Sequence, residues 1–168
     1  MAELTLTIQQ ATSPADIGVI RDLFQEYAAW LKVDLCFQSF AEELASLPGA
    51  YAPPKGRLLL AGAADGPAGC IALRPLEEPF GVPALARQRC CEMKRLYIRP
   101  AYRGHGLGRA LARMIISDAR EIGYTSMFLD TLPSMHSAIR LYESFGFVRC
   151  SKYYDTPLDE TVFMELQL

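Results

Sequence analysis

Several things are scarce in this chain, and each scarcity closes off a class of function. Only two histidines occur, His105 and His136, and the five cysteines show no CxxC spacing, so no residue set has the ligand spacing of a metal centre. The cysteine count is odd. Cys90 and Cys91 are adjacent, and in a strand they would point to opposite faces, so the set reads as reduced, buried thiols rather than a disulfide framework. Positive charge is not in excess either: 17 Lys and Arg stand against 19 Asp and Glu, leaving no overall basic field to hold a nucleic-acid backbone. The opening MAELTLTIQQ has neither a basic n-region nor an apolar h-region, and no apolar run approaches the length of a membrane span. A cytoplasmic address is expected. With 51% hydrophobic residues, a single domain over residues 1–168 can bury its own core.

What is present is an alternation of short strands and amphipathic helices. Residues 4–9 alternate apolar and polar, as a half-exposed strand does. Ser13 and Pro14 then read as a cap and first helical turn, and Ile17, Ile20, Leu23, Phe24, Tyr27 and Leu31 recur at helical spacing up to about Trp30. A shorter helix is expected over 39–47. RLLLAGA and AGCIALRPL flank Asp65-Gly66, which predicts an antiparallel hairpin, followed by a loop over 76–88. A fourth strand (90–98) stops before Pro100, a helix runs over about 106–122 to Gly123, and a fifth strand covers 125–131. A fourth helix is capped by Ser134 and ends at Gly146, and FVRCSKYYD and TVFMELQL read as two closing strands. Strands come singly, as a hairpin, and between helices, so the sheet is expected to be mixed.

One stretch stands out: RGHGLGRAL, residues 103–111, where Gly104, Gly106 and Gly108 lead straight into a helix. Amides at a helix start are unpaired and partly positive, and glycine lets an anion approach them, while Arg103 and Arg109 add full charge. A dinucleotide fingerprint would need glycine where Arg109 stands. A Walker loop would need lysine followed by serine or threonine after its last glycine, and neither is there. The plain alternative is a tight strand-to-helix turn without a ligand.

The stretch YIRPAYRGHGLGRAL resembles the acyl-CoA loop of the GNAT N-acetyltransferase superfamily, with Arg103, Gly106 and Gly108 in the places of its pattern. SAIRLYESFGF (137–147) is similar to that family's helix with a Leu-Tyr pair and a Gly-Phe ending. Both blocks occur in the expected order, as in small single-domain members of bacterial type. The fold this implies is α/β (α+β): a mixed, mostly antiparallel central sheet of six to seven strands, about four flanking helices, and a splayed pair of strands 4 and 5. The cofactor implied is acetyl-CoA. Its diphosphate would lie on the loop from Arg103 through Gly104, His105, Gly106, Leu107 and Gly108 to Arg109, and its pantetheine arm along Leu96, Tyr97 and Ile98 beside a bulge. Where the family often has asparagine, three residues before the alanine of the fourth helix, this chain has Met135.

Acetyl transfer to an amine needs a deprotonated amine, a stabilised oxyanion and a proton for the departing thiolate. Tyr142 matches the family's general acid. Glu92, a carboxylate in an apolar strand, is the candidate base; its alternative is an ion pair with same-face Lys94 or with Arg95. For the acceptor side the sequence offers Asp34 with Cys36 and Phe37, which could seat an ammonium, Arg74 for a carboxylate, and Tyr153 or Tyr154 as a wall. Each has a plain structural alternative. The partners expected are acetyl-CoA and an amine acceptor, with neither nucleic acid nor membrane, and a homodimer is left open. The acceptor amine is read as that of a small metabolite, with a protein amino group or a non-catalytic acyl-CoA sensor as the rivals.

Overall fold

A computed structural model of the chain describes residues 5–168. Helix α1 (Pro14–Leu31) starts at a reciprocal cap: the Asp16 amide donates to the Ser13 hydroxyl at 3.1 Å and the Ser13 amide to the Asp16 carboxylate at 3.4 Å. Two donors that the helix cannot pair internally are thereby satisfied. Seven strands follow one another across a single sheet: β1 (Thr7–Gln10), β2 (Arg57–Ala63), β3 (Gly66–Pro75), β4 (Cys90–Ile98), β5 (Ser126–Thr131), β6 (Val148–Arg149) and β7 (Val162–Gln167). Their spatial order is β1-β2-β3-β4-β5-β7-β6. Every neighbouring pair is antiparallel except β4 with β5, as the mixed sheet required.

Helix α4 (Leu107–Ile122) lays Leu107, Leu111, Ala112, Ile115, Ile116 and Ala119 on one face of the sheet, and α5 (His136–Ser144) joins it there with Tyr142, Ala138 and Leu141. Truncating a residue such as Leu111, fully buried in this layer, costs about 2–5 kcal/mol. The opposite face is covered by Ile17, Ile20, Leu23 and Phe24 of α1, with α2 (Phe40–Ser46) behind it. No described helix is long and apolar enough to cross a membrane.

Four expectations need correction. The first strand pairs only from Thr7, and residue 4 lies outside the described residues. The stretch expected as a loop contains a one-turn helix, α3 (Ala84–Arg87), so the helices number five. The fourth predicted helix is not capped by Ser134: the Met135 amide donates to the Leu132 carbonyl at 3.0 Å, which keeps residues 132–135 in a turn and delays α5 to His136. Of FVRCSKYYD only Val148 and Arg149 pair as β6, because Tyr153 drops its ring between Phe128 and Phe163, 5.2 Å from each, and draws the backbone off the sheet.

Two irregularities in β4 matter most. Ala72 of β3 faces Lys94 but Cys70 faces Tyr97, so β4 holds one extra residue there, and Arg95 takes a left-handed backbone (φ 59°) to absorb it. For a residue with a side chain that conformation costs roughly 1–2 kcal/mol. The second is the join to β5, which covers only Cys90↔Ser126, Cys91↔Met127 and Glu92↔Phe128. Beyond Glu92 the two strands part.

Candidate active site

The glycine turn is built by its neighbours. Tyr102 ties it to the β2–β3 hairpin by donating to the Asp65 carboxylate at 2.7 Å. Arg103 donates from Nε to the Ile98 carbonyl at 2.9 Å and stacks its guanidinium over the Trp30 ring at 4.7 Å. Gly104 and Gly106 have φ of 81° and 77°, so the backbone, not crowding, demands glycine: a Cβ at either would meet no atom within 4 Å. Helix α4 begins at once, without a side-chain cap. The amides of residues 104–109 donate to no protein group among the described residues.

These amides open on a cavity of about 470 Å³ that is also lined by Arg103, Arg109 and Arg140 and by no carboxylate. Free N–H groups, three guanidiniums and the positive end of α4 fit a diphosphate. A second cavity of about 490 Å³ adjoins it, sharing Ile98, Gly108 and Leu141, and runs along Leu96, Tyr97 and Ile98 where β5 has left β4. A third, small cavity of about 50 Å³ shares Leu96 and Met135 with the second and ends among Tyr142, Asp130, Lys94 and Arg95. The three lie in series. Together they lead from the glycine turn through the gap in the sheet to the layer under α1, and their donor set fits the parts of acetyl-CoA in order.

Tyr142 lines the inner cavity, with its ring packed edge-on against Phe147 at 5.8 Å. Burial, with Tyr27 and Asp130 beside it, pushes its hydroxyl well above the usual tyrosine value, so it keeps its proton through the neutral range. Its oxygen bonds to no protein group among the described residues. The inner wall is polar and highly connected. Lys94 Nζ lies 3.1 Å from Gln38 Oε1, 3.2 Å from Asp130 Oδ1 and 3.0 Å from Glu92 Oε1. Gln38 Nε2 and the Tyr154 hydroxyl both donate to Asp130 Oδ2, at 3.2 and 2.9 Å. Burial alone would raise the Asp130 carboxyl, but Lys94 and these hydrogen bonds hold it below the ordinary carboxylate value.

The residues singled out from sequence fall into place unevenly. Arg103, Gly104, Gly106 to Arg109 and Leu96 to Ile98 line the outer cavities, whereas His105 does not, and Tyr142 and Phe37 line the inner one. Tyr154 reaches the same wall through Asp130. Glu92, 2% exposed, is off the cavity wall; of the alternatives open to it, the ion pair with same-face Lys94 is formed, with Arg74 Nη2 a further 3.5 Å from its other oxygen. Arg74 lies behind Glu92, shared with Glu43. Asp34 is exposed and accepts the Cys36 amide at 2.9 Å, away from the cavity. His105 and His136 are both exposed, and no group of three or more metal-ligating side chains occurs among the described residues. Sequence reasoning missed Gln38, Asp130 and the role of Lys94. Only Asp130 left a trace, as an acid near the end of an apolar strand.

A mixed sheet with one splayed parallel pair, a turn of unpaired amides and guanidiniums fitted to an anion at that pair, and a buried tyrosine beyond it fit a coenzyme A-dependent acyltransferase. Among curated proteins, an uncharacterised N-acetyltransferase of Schizosaccharomyces pombe is 41% identical over 100% of this chain and 98% of its own length. One of Dictyostelium discoideum is 30% identical over 90% of this chain and 94% of its own. A Salmonella typhimurium structure solved with its cofactor acetyl-CoA superposes with a TM-score of 0.67 at 22% identity, covering 96% of this chain and 93% of that one. The Acetyltransferase (GNAT) family matches residues 19–147, and the chain belongs to that family. It is an N-acetyltransferase, and acetyl-CoA is its acyl donor.

Proposed function

We propose that this enzyme moves the acetyl group to the primary amine of a small metabolite by direct attack, with Tyr142 as general acid. The observation that carries this reading is the Tyr142 hydroxyl, held protonated on the wall of a cavity continuous with the donor channel. Bound acetyl-CoA supplies an activated acetyl thioester. The amides of residues 104–109, with Arg103 and Arg109, would hold the diphosphate, and the free edge of β4 at Leu96 to Ile98 would orient the arm. Tyr142 then delivers its proton from Oη toward the leaving sulfur.

Glu92 is ion-paired and off the cavity wall, so we assign it to positioning Lys94 rather than to taking the proton of the amine, which leaves to solvent. The small volume of the inner cavity, about 50 Å³, favours a metabolite over a protein chain as acceptor. Five free cysteines, three of them buried, support a cytoplasmic setting.

Tyr142→Phe tests the assignment, because it keeps the ring and removes no protein hydrogen bond. Thiol release with a panel of amines is expected to slow by about 100-fold or more in kcat, with acetyl-CoA affinity by calorimetry nearly unchanged. Unchanged kcat with lost affinity would make Tyr142 a binding contact instead. Acetyl-CoA binding without thiol release for any amine would favour a sensor.

A further inference from the structure

Arg95 is an unusual residue to bury. Its side chain is 3% exposed, its backbone is strained, and its guanidinium lies 5.1 Å above the Phe40 ring. Nε donates to Glu43 Oε2 at 2.9 Å and Nη1 to Gln38 Oε1 at 3.0 Å, but Nη2 is buried with no partner among the described residues. A guanidinium carries five N–H donors, and nearly all buried polar groups in folded proteins are paired. Here at least the two of Nη2 are unused.

Its neighbours have nothing to spare. Lys94 donates to Gln38 and Asp130 and is ion-paired with Glu92 at 3.0 Å, and Asp130 is engaged through both oxygens. Lys94 is paired with Glu92 and Asp130 and Arg95 with Glu43, so what the wall is left with is one guanidinium fork open at Nη2. Such a fork matches a carboxylate in two parallel hydrogen bonds. The left-handed backbone at Arg95 is the strain that brings this side chain to Gln38 beside Lys94, and strain of this kind gathers where a ligand is clamped.

We infer that the acceptor is a small amino acid: a primary amine that carries its own carboxylate, received by Arg95 while the amine faces the donor channel. This rests on the acetyl-transfer reading above and narrows its substrate class.

The test compares matched amines on the unaltered enzyme by thiol release: glycine against methylamine, L-alanine against ethylamine, and L-methionine against 3-(methylthio)propylamine. Loss of the carboxylate is expected to lower kcat/KM by about 10- to 100-fold, the range of a charge-assisted pair. Arg95→Lys keeps the charge without the fork, and should raise KM for the amino acids about 10-fold or more while narrowing their lead over the plain amines. Should that variant fail to fold, the matched pairs alone decide. Plain amines or a peptide amino terminus reacting as fast as the amino acids would overturn the inference and leave acetyl transfer standing. Acetyl-CoA binding with no thiol release from any amine would overturn the transfer reading, and this inference with it.

Discussion

Gly108→Asp separates the folding role of the glycine turn from its binding role, because the two respond with opposite sign. Gly108 is the second residue of α4 and has an ordinary helical backbone. A Cβ there meets Leu141 Cδ2 at 3.8 Å and Ile98 Cγ1 at 3.9 Å, which is normal contact, so the side chain is accommodated. Replacing glycine within a helix gains about 0.3 kcal/mol of propensity, and an acid in the first turn gains about 0.3–1 kcal/mol from the helix dipole. Together these raise Tm by about 2–4 °C in a chain of this size. The same carboxylate borders both outer cavities, where the diphosphate would lie. Two like charges about 4 Å apart repel by about 1 kcal/mol in water and about 4 kcal/mol at the effective dielectric of a protein surface, which puts the loss of acetyl-CoA affinity between about 5-fold and several hundred-fold. Calorimetric titration at low and high salt, beside thermal unfolding, checks both signs, and salt should return part of the affinity. Gly108→Asn adds similar bulk without charge and should lose several-fold less. A variant with raised Tm and unaltered acetyl-CoA affinity would refute the placement of the diphosphate.

The inner network makes predictions about stability. Lys94→Met strands Glu92 and Asp130 without their shared cation and should cost about 3–5 kcal/mol, roughly 10 °C in thermal unfolding; adding Glu92→Gln should return part of it, so the two substitutions fail to add. Because Asp130 is held below its unfolded value, its contribution is complete above the ordinary carboxylate range and fades as pH falls through that value toward the lower folded one. The Tm advantage of wild type over Asp130→Asn should therefore be flat from neutral pH to about pH 5 and shrink below about pH 4; an advantage that grows on acidification would contradict the assigned direction.

Legibility in the sequence followed the range of the interactions. The Ser13–Asp16 cap, the left-handed glycines 104 and 106 and the apolar face of α4 are each decided within a few residues, and each was readable. The inner wall is another matter. Gln38 bonds to Asp130 across 92 residues and to Arg95 across 57, and no periodicity encodes such a meeting. In CCEMKRLYI, strict alternation puts Lys94 and Arg95 on opposite faces; the extra residue, fixed by pairing with β3, brings both to Gln38. Tyr153 and Tyr154 have the propensity of a strand, but packing against Phe128 and Phe163 outweighed the two or three ladder bonds they could have made.

The parting of β4 from β5 after Glu92 turns the sheet from a wall into a doorway. Under the direct attack proposed above, thioester and amine would meet within its thickness. In that proposed geometry neither has to step out for the other, and no side chain would be asked to carry the acyl group between two visits.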